Sequence, residues 1–288
     1  MLLLALLAPH VGAAQEPGSA GAPSAEPLEW KASWHRANWI DGAVIVGGFG
    51  LYLADLALIP DRDSAVWRGP ILFDEAVRDL LRIRVKGDRG TAATISDVML
   101  TGSLIHNWLF DNLVVALALR GKPDVAWQMS VANAQAYAIS FSVTGLVKTA
   151  AGRERPYQGE CGDDPEYSDD CDQATSYRAF FSGHAGATAT GAGLLCAHHT
   201  HMPLYDGRIL DLGACALGIG MTLLTGAMRI SSDKHWATDV LTGHLVGFSS
   251  GYLVPTLLYY RDEEEPADTV LLPRISPDGL GVVLMGRM

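Results

Sequence analysis

Apolar residues gather along the chain into six long runs. They are Trp39–Ile59, Ile95–Leu119, Ala126–Ala150, Ser182–His199, Ile209–Ile230 and Trp236–Tyr260, each dense in Ala, Gly, Leu and Val. None alternates as a half-buried strand would, and each is long enough for about five helical turns or more. The pattern predicts an all-α fold, a six-helix bundle whose Gly and Ala let neighbouring helices approach closely. The connection 61–94 carries Arg68, Arg78, Arg82, Arg84, Lys86 and Arg89 and reads as partly helical around Asp74–Arg84. Past Tyr260 the chain is acidic (Arg261–Glu265). Two further stretches, Val270–Ser276 and Leu280–Met285, then flank Pro277-Asp278-Gly279 and predict a short C-terminal β-hairpin.

The first fourteen residues, Met1–Ala14, contain no Asp, Glu, Lys or Arg. A leucine-rich core is followed by Gly12, Ala13 and Ala14, the order of a secretory signal peptide. That core falls short of the ~20 apolar residues that span a bilayer. The expected organisation is a leader over 1–14, a disordered or entry segment over 15–37, a helical domain over 38–261, and an acidic linker with the hairpin over 262–288.

Composition narrows the class. With 288 residues, 49% hydrophobic and 18% charged, the chain is not disordered. Its net charge of −11 argues against a nucleic-acid partner held by phosphate contacts. Cys161 and Cys171 lie ten apart in a polar loop and are expected to form a disulfide in an oxidising compartment. Cys196 and Cys215 fall inside apolar runs and read as small core hydrophobes. Between Glu160 and Asp172 lie seven acidic residues and no basic one, read as a solvated loop pinned by the disulfide rather than a calcium site. His198, His199 and His201 read as a helix C-terminal cluster. Asp41, Asp55, Asp111 and His244, inside apolar runs, are expected to face the bundle interior or a polar surface.

Candidate chemistry sits at the ends of the last four runs. Lys148, then Arg155-Pro156, places two cations where the third run stops. Ser182-Gly183-His184 opens the fourth: Ser182 is a good N-cap, Gly183 admits an anion to the backbone, and His184 stands in the first turn. Arg229 is followed by His235 and Asp239, an i, i+4 pair in which a carboxylate can fix the imidazole tautomer. No metal-ligand spacing accompanies them.

Taken together, Lys148-x6-Arg155-Pro156, Ser182-Gly183-His184 and Arg229-x5-His235-x3-Asp239 resemble the type 2 phosphatidic acid phosphatase (PAP2) and vanadium haloperoxidase superfamily. The departures are Phe181 where the family usually has proline and Met228 where it usually has serine. The resemblance implies a metal-free phosphatase acting on a phosphate monoester or pyrophosphate, with a lipid phosphate as the leading substrate. In it His235 is the nucleophile, Asp239 its orienting partner and His184 the general acid and base. Lys148, Arg155, Ser182, Gly183 and Arg229 hold the phosphate. A soluble periplasmic acid phosphatase of broad scope is the first alternative. A haloperoxidase holding vanadate in the same pocket is the second, although the chain has little room for the extra helices such enzymes carry.

Membrane contact is expected, and topology poses a conflict. A cleaved leader starts the mature chain outside, and six spans from there put the motif loops inside. The family's integral members keep those loops outside. The basic 61–94 connection favours the cytoplasm when the chain starts outside. The expectation is an exported, periplasmic or membrane-associated domain, with a six-span inner-membrane protein facing the periplasm as the alternative.

Overall fold

The computed structural model describes residues 27–168, 170, 171, 173, 175–262, 269–276 and 279–286, the last two ranges by their backbone. The leader expected over 1–14 and most of the acidic linker lie outside the described residues. The fold is predominantly α-helical. Among the described residues seven α-helices stand where the apolar pattern counts six: α1 (Trp39–Leu58), α2 (Asp74–Leu81), α3 (Lys86–Ile105), α4 (Pro123–Ala151), α5 (Gly183–His201), α6 (Arg208–Ser231) and α7 (Ala237–Val254). The additional one, α2, is eight residues long and too polar to register as an apolar run. Wider π-helical turns prolong α3 through His106–Leu119 and α7 through Pro255–Tyr259. Strands β1 (Thr269–Ser276) and β2 (Gly279–Gly286) pair antiparallel.

Local signals set the helix ends. Asn38 caps α1 by accepting from the Ile40 N–H, while the Asp41 carboxylate accepts from the Asn38 N–H. Pro123 opens α4, and Gly152 closes it in a left-handed turn at φ +49°. The helices then run up and down, so α4 and α6 finish, and α3, α5 and α7 begin, at one end of the molecule.

The tightest crossing joins α5 and α7. A Cβ on Gly247 would stand 2.0 Å from the Gly186 carbonyl oxygen, and one on Gly251 2.0 Å from that of Thr190. Four-residue spacing puts both glycines on one stripe, so backbone meets backbone there. The apolar pattern accounts for the helix, and these two positions for its close contact.

At the opposite end, Leu28, Trp30 and Trp34 are buried with Met202, Leu204, Tyr259 and Tyr260. Residues 27–37 were expected in a disordered or entry segment; aromatic packing fixes them, with Trp34 and Tyr260 ring centres 4.7 Å apart. Cys196 and Cys215 also differ from expectation. They are disulfide-bonded, Cα atoms 4.4 Å apart, because the end of α5 lies against the start of α6. Neither run shows in sequence that its cysteine faces the other. Cys161 and Cys171 are joined as well.

Three helical stretches, Trp39–Leu58, Lys86–Leu119 and Arg208–Ser231, are long and apolar enough to cross a membrane. Their outward faces are bare: Val46 is 73% exposed, Leu119 73% and Ile209 85%.

Candidate active site

The end of α4 delivers the first cations. Lys148 stands in its last turn and donates to the Arg178 carbonyl at 2.7 Å. Its Cε lies 3.5 Å from where a Cβ on Gly183 would be, so the first two motif blocks touch. After the Gly152 turn, Arg155 swings inward. Its Nε donates to the Thr175 carbonyl and its Nη1 to the Lys234 carbonyl, both at 2.9 Å. Nη1 is also 3.5 Å from His235 Nε2, joining the first block to the third.

Ser182 caps α5 by accepting from the Ala185 N–H at 3.4 Å, and its own N–H donates to the Asp239 carbonyl at 3.0 Å. The second block is thereby tied to the start of α7. His184 meets Asp97 of α3 through Nε2 at 2.8 Å. Arg229, in the last turn of α6, donates to Ser96 Oγ at 3.3 Å and lies 3.8 Å from the Asp97 carboxylate. His235 is 2% exposed. Asp239 Oδ2 faces its Nδ1 at 3.6 Å, beyond hydrogen-bond length, and accepts instead from the Trp236 N–H at 2.9 Å.

Burial and charge set the protonation states. His235 is pushed well below the ordinary imidazole range by burial and then by Arg155, Lys148, Arg229 and His184, so it is held neutral. Burial, reinforced by Arg155, also lowers Lys148, while Asp239 opposes. His184 falls to about 4 through burial and then Arg229, with Asp97 acting against them. Asp239 is pushed up to about 6 because burial outweighs Arg153, which favours its charged form. Such a cluster of displaced titrations in a buried pocket marks a place where charge is to be bound.

Some residues at the site carried no motif. Arg153 is fully buried, with Nη1 donating to Asp239 at 2.6 Å and Nη2 to Asp74 of α2 at 2.6 Å. Its guanidinium stacks 4.1 Å over Trp67. Asp74 in turn accepts from the Thr238 N–H at 2.8 Å, fixing the start of α7. In sequence Arg153 is one of several cations after Lys148, and nothing there separates the structural one from Arg155. Asp97 lies in an apolar run far from the motifs, so only the fold could bring it to His184.

The loop 160–172 was expected to be solvated; Asp163 and Glu166 are exposed, but Glu160 and Asp170 are instead ion-paired. Glu160 binds Arg82 and, at 3.0 Å, Arg78. Asp170 binds Lys234 at 2.9 Å and Arg89 at 3.3 Å. The basic 61–94 connection is thus partly neutralised by this loop, which weakens its value as a topology signal. Asp55 accepts from Thr149 and Arg178, each at 2.5 Å, bracing the chain beside Lys148. A cavity of about 340 Å³ opens there, lined by Lys148, Thr149, Arg62 and Arg178.

The remaining candidates lie elsewhere. His198 joins Tyr260 to Asn133, and His199 sits between Asp211 at 2.7 Å and Asp111 at 3.4 Å, all at the end opposite the motifs. Asp41 meets His35 at 3.0 Å. His244 is half-buried on α7.

The sequence model of the PAP2 superfamily matches residues 127–263. Neither a curated protein nor a solved structure matches the chain. The matched segment contains Lys148, Arg155, Ser182, Gly183, His184, Arg229, His235 and Asp239; it leaves out Asp74 and Asp97.

Proposed function

Because this chain carries a PAP2 superfamily domain, whose members are phosphatases or related hydrolases, we propose that it hydrolyses a phosphate ester through a phosphohistidine on His235. The observation that carries this reading is the neutral His235, Nε2 3.5 Å from Arg155, within a buried set of three cations from α4, its following loop and α6. Nε2 attacks phosphorus in line with the leaving oxygen. Asp239 accepts from Nδ1–H as positive charge develops on the ring, the 3.6 Å approach tightening at that stage. Lys148, Arg155 and Arg229, with Ser182 and the Gly183 N–H, hold the equatorial oxygens. His184 protonates the departing alkoxide, then takes a proton from the water that splits the phosphorus–nitrogen bond.

Bare apolar faces on α1, α3 and α6 support a membrane-associated enzyme and a lipid phosphate as substrate. Two disulfides support placement in an oxidising compartment, hence export. Three cations already supply the charge a divalent metal would bring, so turnover is expected to survive EDTA. The test is hydrolysis of phosphatidate and p-nitrophenyl phosphate by purified chain in EDTA, with vanadate as inhibitor. His235→Ala should abolish both activities, whereas halide oxidation on adding vanadate, without phosphatase turnover, would refute the reading.

A further inference from the structure

Asp97 meets the site from α3, outside the matched segment, and the chemistry above gives it no part. Its carboxylate accepts from His184 Nε2 at 2.8 Å, closer than Asp239 stands to His235, and lies 3.8 Å from Arg229. The side chain is 60% exposed, so it is not a core group whose purpose is packing. Apolar recesses flank it on α3, one lined by Val98, Thr101 and Ile105, the other by Ala92, Ile95 and Met228. Asp97 therefore stands between solvent and His184.

We propose that Asp97 is the positioning residue for the general acid: it fixes the His184 ring and, with the charge of the bound phosphate, favours there the proton that the leaving alcohol requires. The inference rests on the phosphatase reading above. In the first half-reaction, His235 Nε2 forms a bond to phosphorus while the phosphorus–oxygen bond to the alcohol breaks. The electron pair of that bond goes to the oxygen, which takes a proton from the ring nitrogen not held by Asp97.

The groups that face His184 explain why a carboxylate is needed. Arg229 on α6, Lys148 on α4 and His235 before α7 are all cationic or polar neighbours that disfavour an imidazolium, and burial acts in the same direction. Asp97 on α3 is the anion on the other side. Burial and these cations outweigh Asp97 and hold His184 at about 4, so the ring keeps its proton only when the negative charge of a bound phosphate acts together with Asp97.

The requirement for an acid depends on the leaving group, and that supplies the test. An alkyl phosphate releases a strongly basic alkoxide and needs the proton, whereas p-nitrophenyl phosphate releases a stable phenolate and needs it little. Asp97→Asn in the full chain is expected to lower kcat on an alkyl phosphate by roughly tenfold or more while costing much less on the aryl ester. Its alkaline limb on the alkyl ester should move to lower pH, and Asp97→Glu should recover part of both effects. Equal losses on the two substrates, or an unmoved pH limb, would overturn the role of Asp97. Wild-type chain inert on both esters would instead remove the phosphatase reading and Asp97's role with it, so the two failures are distinguishable.

Discussion

At the scale of single residues, the site is organised by what stands behind the reacting groups. Arg153 holds Asp239 and Asp74 together with no exposure of its own, so removing it leaves two buried carboxylates facing each other. Arg153→Met should lower stability by about 3–5 kcal/mol, read from the unfolding midpoint in detergent, because breaking a buried ion pair strands a charge. Asp239→Asn should keep far more of the stability and lose the rate, since it retains the shape while removing the acceptor for imidazolium. The titration of Asp239 gives a second expectation. Its carboxyl is pushed up to about 6 by burial, and in the proposed mechanism it must be ionised to stabilise His235 as charge forms. Turnover should therefore fall as pH drops through about 6. His235 does not produce this limb, because its own titration lies well below the ordinary range. A rate independent of pH between 5 and 8 would contradict the assignment.

Among elements, the α5–α7 crossing matters most, because it carries His184 and Ser182 on one helix and Asp239 on the other. Gly247 has no room for a Cβ, whereas Gly220 on α6 has nothing within 4 Å. Gly247→Ala should destabilise by about 1–3 kcal/mol through forced separation of the backbones, with activity falling as the helix ends move apart. Gly220→Ala should be neutral or slightly stabilising, since alanine is the better helix former. The same thermal melt compares them. The loop closed by Cys161–Cys171 and the segment just after it act on the site through hydrogen bonds: within the loop Asp170 holds Lys234 next to His235, and beyond it the Thr175 and Ser176 carbonyls hold Arg155. Replacing both cysteines by alanine should cost about 2–4 kcal/mol. It should also raise KM for phosphate esters, as Arg155 loses its frame.

Viewed as a whole molecule, the up-and-down helices put every motif residue at one end and the aromatic cluster of Trp30, Trp34 and Tyr260 at the other. Between them lies the apolar exterior. Leu58 at 78% exposed and Ile209 at 85% are costly in water, and a lipid environment removes that cost. The chain should sediment with membranes and resist carbonate extraction; recovery in the soluble fraction without detergent would rule out membrane association. Cysteine labelling at the motif end, with impermeant reagent on intact cells, would settle which side the pocket faces.

How much of this was legible beforehand follows from the kind of interaction. The apolar runs gave the long helices to within a few residues at most ends, because burial and helical hydrogen bonding are local or periodic. Three motif blocks pointed to Lys148, Arg155, Ser182, Gly183, His184, Arg229, His235 and Asp239, since each is bound to a helix end by neighbouring residues. Asp97, Asp74, Arg153 and the Cys196–Cys215 bond were not legible, nor was the pairing of the acidic loop with Arg78, Arg82 and Arg89. These depend on which faces of distant helices meet, and side-chain pairing at long sequence separation leaves no periodic trace in one chain. Sequence alone determined the helical character and singled out the candidate groups. Tertiary structure decided their supports, because a carboxylate in an apolar run acquires its partner only when another helix end is packed against it.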